Sequence, residues 1–324
     1  MLGSSSPRAR ALAFALCLTG CLTSCAGVKM QSTDAGGGAG ATGAIDAAPD
    51  AGPRETAPPA DGPTFDFGTA ERPPPAPGKV YAHSDTTLWL LEPISKQVTM
   101  VGAFDCVGTT VSSMVDIAID RTGKMTGSAA ISFNNALGGA LVSIDPTSAH
   151  CTVLTRGADL VTSLTYVPEG TLVANAEALV GYADDKYVRV DPATGALTQI
   201  GLLNNAASGG VTWVSSGDVV SIKDGGTYLT VKDQSVLTSP GGDRIVQVDP
   251  KTGALMRVIG ATGSDAVLGL GYWGGIAYGF TYAGTLIQID LTTGAGTPIP
   301  IPGAPSDLTF YGAGTTTVAP IIVE

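Results

Sequence analysis

Histidine is nearly missing from this chain, with two in 324 residues, His83 and His150. So few leave a Ser/His/Asp triad little to build on. No Gly-x-Ser-x-Gly elbow or phosphate-binding loop accompanies them. His150 stands beside Cys151, but a second cluster of soft ligands is missing, so no metal site and no cofactor are assigned. Aromatic residues are scarce at 6%. Nowhere past the N-terminus do apolar residues run for the roughly 18 positions that a membrane-spanning helix needs. Basic residues number 17 against 28 acids, giving a net charge of −11, and from residue 79 onward 21 acids oppose 12 bases. Without a basic stripe, nucleic acid and anionic lipid are excluded as charge-driven partners.

What is present in quantity is glycine (44), proline (21) and a hydrophobic share of 44%. That combination gives a sizeable core interrupted by many turns. The order within it is repetitive. Over residues 79–324 an apolar strand, an acid, a turn and a second strand recur, with the acid at Glu92, Asp145, Asp191, Asp249 and Asp290. The fullest copies are Val188 to Gly195 and Val246 to Gly253, both ending Asp-Pro-x-Thr-Gly. Proline presets φ at the first turn position, the Asp side chain accepts from amides just beyond it, and glycine takes the left-handed position that lets the chain return. Asp290 to Gly294 has Leu291 in place of proline, whereas the Glu92 and Asp145 copies keep the proline and lose the glycine. These acids read as turn caps.

A second marker alternates with the first. Short apolar strands are expected at Asp116–Ile119, Ser163–Tyr166, Gly210–Trp213, Gly269–Tyr272 and Asp307–Phe310, spaced 47, 47, 59 and 38 residues. Two hairpins per repeat make four strands per repeat, the period of a β-propeller blade. The segment from Lys79 carries a second hairpin but no first marker, and the segment from Asp307 carries a first marker but no second hairpin. The expected fold is therefore all-β: a five-bladed β-propeller of four-stranded antiparallel blades, closed by joining N- and C-terminal strands. The long spacing predicts an insertion at residues 224–243, on the same face as the blade-to-blade loops and a candidate binding loop. Trp213, Tyr272, Phe310, Tyr166 and Ile119 are expected at one core position. Asn134, Asn135, Asn175, Asn204 and Asn205 fall in connections, where turn chemistry claims them first.

The N-terminus is an address. Arg8 and Arg10 precede the apolar run Ala11–Leu18, the pattern of a secretory signal. Leu18-Thr19-Gly20-Cys21 resembles the lipobox of bacterial lipoproteins, and Leu22-Thr23-Ser24-Cys25 fits almost as well. The resemblance implies a signal peptide over 1–20 and a triply acylated new terminus at Cys21, with Cys25 as the alternative. Two or more acyl chains anchor a protein stably. Neither cysteine is followed by Asp, so the resemblance implies the outer membrane rather than the inner. Residues 21–78 form the expected tether. They are rich in Gly, Ala, Pro and Asp and have too few large apolar residues to offset their ordering entropy. The propeller domain is then 79–324.

Two cysteines remain in the body, Cys106 and Cys151, and a secreted pair in neighbouring segments predicts a disulfide. The body as a whole resembles the secreted quinoprotein-like or NHL-like β-propellers of bacteria, on the form of its repeats. The tryptophan-rich docking motifs of quinone-dependent dehydrogenases are absent. No catalytic residues are assigned. The expected role is a lipid-anchored, monomeric binding or interaction module for a protein, a peptide or an envelope polysaccharide. The alternative is a secreted propeller enzyme of lyase or lactonase type, with a metal or paired acids at the central axis.

Overall fold

The computed structural model describes residues 78–133, 136–158, 160–236 and 240–322. Three strands come first: β1 (Val80–His83), β2 (Thr87–Glu92) and β3 (Gln97–Ala103). Four sets of four follow. The first is β4 (Ser113–Ile119), β5 (Met125–Phe133), β6 (Ala136–Ile144) and β7 (Cys151–Ala158). The second is β8 (Ser163–Val167), β9 (Ala178–Ala183), β10 (Lys186–Val190) and β11 (Leu197–Leu202). The third is β12 (Trp213–Ile222), β13 (Gly226–Asp233), β14 (Arg244–Val248) and β15 (Leu255–Ala261). The fourth is β16 (Val267–Trp273), β17 (Ile276–Thr281), β18 (Leu286–Ile289) and β19 (Gly296–Ile299), and β20 (Gly312–Thr315) ends the series. Each set forms one antiparallel sheet, here blades I to IV.

Blade V has the order β20-β1-β2-β3, so the last strand pairs with the first, with His83 opposite Gly312 and Val80 opposite Thr315. Strands β4, β8, β12, β16 and β20 contact one another in cyclic order, including β20 with β4. They are the inner ring of a closed five-bladed propeller, as the repeats predict. Antiparallel order puts the first-to-second and third-to-fourth turns of every blade at one end, the turn end. It puts the second-to-third loops and the blade-to-blade connections at the other, the loop end.

The core is not one cluster but five, each a seam between neighbouring blades. Met114, Ile117 and Met125 of blade I meet Tyr81 and Leu88 of blade V. Leu141 meets Leu164 and Tyr166 between blades I and II. Tyr182 and Tyr187 meet Trp213, Leu229 and Val246 between II and III. Ile222 and Ile245 meet Leu270 and Ile287 between III and IV. Tyr278 and Phe280 meet Val80 and Leu91 between IV and V. Blades buried on both faces explain strands such as β9, buried at five consecutive positions, where a half-exposed sheet would alternate. Each fully buried Leu, Ile or Val side chain stabilises by about 1.5–3 kcal/mol, so the seams dominate the energetics.

Two of the five inner strands lie elsewhere than the apolar pattern predicts. In blade III the apolar Val211-Thr212-Trp213 only leads into β12, whose register shifts between Ser215 and Val219, so the ring position is Val219. In blade V the apolar Leu308-Thr309-Phe310 precedes the strand. Phe310 packs against Phe280 with ring centroids 5.1 Å apart, and the ring position is Ala313 in β20. That strand is Gly-Ala-Gly-Thr because the axis leaves no room. A Cβ on Gly312 would lie 2.4 Å from both Asp116 Oδ1 and His83 Nε2. Aligned on residues 117, 164, 219, 270 and 313, the repeats are spaced 47, 55, 51 and 43. The shared core column is then Ile119, Tyr166, Ser221, Tyr272 and Thr315, without Trp213 or Phe310. The insertion at 224–243 resolves accordingly. Gly226–Asp233 is strand β13, and among the described residues only 234–236 and 240–243 belong to the second-to-third loop of blade III.

Candidate functional site

The five acidic turns all join the third and fourth strands of a blade. Oδ1 of Asp145, Asp191, Asp249 and Asp290 accepts the amide two residues on, at 2.7–2.8 Å. The Thr147 hydroxyl first, and then its amide, hold the Asp145 carboxyl below the usual range, and the amides of Ala193 and Thr292 do the same for Asp191 and Asp290. The fifth residue of every turn has positive φ: Lys96 (59°), Ala149 (62°), Gly195 (70°), Gly253 (66°) and Gly294 (83°). The glycine lost from two copies is therefore replaced without a change of conformation. The turns do a second job. A Cβ built on Gly201 of β11 would lie 1.7 Å from Thr252 O, and one on Gly260 of β15 would lie 1.9 Å from Thr293 O. In blade I the hydroxyl of Thr155 donates to Thr194 O at 3.1 Å. The acidic turns of blades II, III and IV thus dock on the outer strand of the blade before them.

Cys106 and Cys151 form a disulfide, with Cα atoms 5.6 Å apart. It ties the connection before blade I to the start of that blade's outer strand. Asp105 reinforces it: Oδ1 accepts from Cys151 N at 2.9 Å, and Oδ2 contacts His150 Nδ1 at 2.5 Å. The Cys151 amide first, and His150 second, hold the Asp105 carboxyl below its ordinary value. His150 is thereby a partner of Asp105. Asn204 Oδ1 accepts from Trp213 N, and its Nδ2 donates to Trp213 O, both at 2.8 Å. Asn205 caps the 3₁₀ turn Ala206–Ser208 and donates to Leu255 O. Asn134, Asn135, Cys21, Cys25 and the linker as far as residue 77 lie outside the described residues.

The densest chemistry sits on the central axis, at residues the repeat pattern leaves unassigned. Asp116 and Asp218 occupy the same position of β4 and β12, each one residue before its ring position. Asp116 accepts from Ile117 N at 2.9 Å and Leu164 N at 2.6 Å. Asp218 accepts from Val219 N at 2.6 Å, Leu270 N at 2.8 Å and Ala313 N at 3.3 Å. Two carboxyls thus gather one amide from each of the five inner strands. They meet at β20, where a Cβ on Gly312 would touch Asp116 Oδ1 and the next residue, Ala313, donates its amide to Asp218 Oδ2. Both are fully buried, and burial is the main force pushing both far above the usual carboxylate range; for Asp116 the charge of Asp218 adds to it.

His83, at the end of β1, faces the pair. Nδ1 lies 2.8 Å from Ser84 O and so carries the hydrogen it donates. Nε2 lies 3.9 Å from Asp116 Oδ1 and has no hydrogen-bond partner. Burial lowers this imidazole to about 4, which keeps it neutral above that pH. The sequence signal for this cluster is an acid inside an apolar strand, as in Val115-Asp116-Ile117 and Gly217-Asp218-Val219. Such an acid cannot be a turn cap.

The ends of the axis differ. At the turn end the chain after β20 crosses the ring. Thr316 bridges Ile119 and the Thr317 hydroxyl donates to Glu177 Oε1. Thr317 O accepts from Lys223 N, and Pro320 O from Gly274 N, both at 2.7 Å. At the loop end lie the connections 104–112, 203–212 and 300–311 and the loop residues 234–236 and 240–243. Asp243 closes that loop onto blade IV by accepting from Val267 N at 2.8 Å, and burial raises it to about 6.

Among known proteins, residues 182–318 match a repeat of unknown function, DUF6923. The match runs from blade II through blades III and IV to the crossing segment. A solved structure described as a nidogen/laminin complex is similar at a TM-score of 0.44 and 10% identity, covering 74% of this chain and 98% of that one. No curated protein matches.

Proposed function

We propose that this chain is a lipid-anchored envelope β-propeller that binds a partner through its loop end. The observation that carries the reading is the filled axis. Asp116 and Asp218 are fully buried, their oxygens are engaged by amides from all five blades, and the segment 316–322 covers the turn end. A ligand therefore has the loop end to engage, where irregular connections replace repeated turns. Insertions that collect on one face of a repeat array commonly form its binding face. The partner is a protein, a peptide or an envelope polysaccharide, met by a monomeric head. Cleavage after residue 20 and lipidation at Cys21, or at Cys25, would anchor the head through the 21–78 tether, at the outer membrane.

The enzyme alternative requires paired acids that a substrate can reach. An acid pair stands at the axis, but its burial fits closure of the ring better than lyase or lactonase chemistry. The test is crosslinking of the full-length protein in intact cells, with and without residues 235–240. Loss of partner capture on deletion supports the loop end, and undiminished capture removes that loop from the binding face. The anchor is tested separately. Cys21→Ser with Cys25→Ser should release the protein from membranes, and a double variant that remains lipid-labelled contradicts the anchor.

A further inference from the structure

We propose that Asp116 and Asp218 form a proton-binding site that holds the ring shut, sharing one proton whose release to solvent loosens the five inner strands. The geometry favours the proton: both carboxyls are fully buried, Asp116 Oδ1 lies against Gly312 while Asp218 Oδ2 accepts from the next residue, Ala313, and among the described residues no Lys or Arg pairs with either. The two carboxyls come from blades I and III, which are not neighbours, and between them they bind an amide of every blade. The pair is thus the one place among the described residues where all five blades meet through side-chain hydrogen bonds. Removing the proton leaves two negative charges side by side in a sealed interior, where each disfavours the other.

Among the described residues, the surroundings offer those charges amide hydrogen bonds but no cation. From β1 the facing titratable group is His83, neutral and 3.9 Å from Asp116. From β8, β16 and β20 the pair receives the amides of Leu164, Leu270 and Ala313, and the Ser163 hydroxyl is occupied by Tyr182 N. Gly312 stands where any side chain would press on His83 and Asp116 together.

The sign follows from proton counting. An unfolded aspartate loses its proton near 3.8, whereas the folded pair keeps one well above that. The folded state therefore binds more protons over the interval between, and stability falls as pH rises through it. Asp243 acts in the same direction, but only up to about 6. His83 acts oppositely, between about 4 and 6.5. Buried tyrosines enter only above 10. Glu177, also raised by burial, acts with the pair, so the interval from pH 7 to 9 lies above Asp243 and His83 and an asparagine variant separates the axial pair from Glu177.

The test is denaturant unfolding of the full-length protein across that interval. The unfolding equilibrium constant should rise with pH, by up to about tenfold per unit, until the pair has lost its proton. In Asp116→Asn combined with Asp218→Asn, which removes both titrating carboxyls, the slope should vanish. Should that variant fail to fold, infrared spectroscopy of the unaltered protein decides. A protonated-carboxyl C=O stretch at pH 7 that disappears as pH rises supports the site. A flat stability curve from pH 7 to 9, or no protonated-carboxyl band at pH 7, overturns it.

Discussion

At the scale of single residues, two kinds of position carry the fold's specificity. Turn acids were legible in the sequence because their chemistry is local. Asp191 bonds an amide two residues away, and no knowledge of the ring is needed to expect it. The axial acids were not legible as a pair, because Asp116 and Asp218 are 102 positions apart and meet only when the blades close. The docking glycines are intermediate. Ile200-Gly201-Leu202 and Ile259-Gly260-Ala261 recur at the ends of outer strands, but the reason lies in the next blade's turn. Gly201→Ala should therefore cost about 2 kcal/mol or more in denaturant unfolding, since its Cβ would have to displace the backbone at Thr252. The same change at Gly138, a strand glycine whose Cβ would meet only Ile131 side-chain atoms at 3.4 and 3.6 Å, should cost far less and is the matched control.

At the scale of strands and hairpins, each blade solves the same edge problem. The outer strands β3, β7, β11 and β15 all carry register shifts against their neighbours, and β19 is short and contains Pro298. Bulges and proline blunt free edges that would otherwise pair with another chain. Exposed apolar residues on these strands, such as Met100 and Met256, therefore need no partner to explain them. Strand assignment from apolar pattern succeeded at β4, β8 and β16. It failed at β12 and β20, where a bulge and a glycine-rich strand broke the period. The disulfide also belongs to this scale. Replacing Cys106 and Cys151 together by alanine should destabilise the protein by roughly 4 kcal/mol, the loop-closure value for a 45-residue loop. Thermal unfolding of the double variant, compared with the disulfide-intact unaltered protein, checks it. A loss well under 1 kcal/mol would show that the seam between blades V and I holds without the bond.

At the scale of the whole molecule, regularity and function separate. The repeat builds the ring, the strand exchange between β1 and β20 closes it, and the axial carboxyls and the crossing segment fill its centre. Repetition fails at the loop end, and the proposed binding face is placed there for that reason. The most direct test places a photo-crosslinking side chain, one site at a time, in the full-length protein in intact cells. Thr109, Asn205 and Ser235 are exposed at the loop end, and Thr147 and Thr292 are exposed at the turn end. The account predicts a specific crosslinked partner from loop-end sites and none from turn-end sites. A partner captured from Thr147 or Thr292, with none from the loop end, would contradict it.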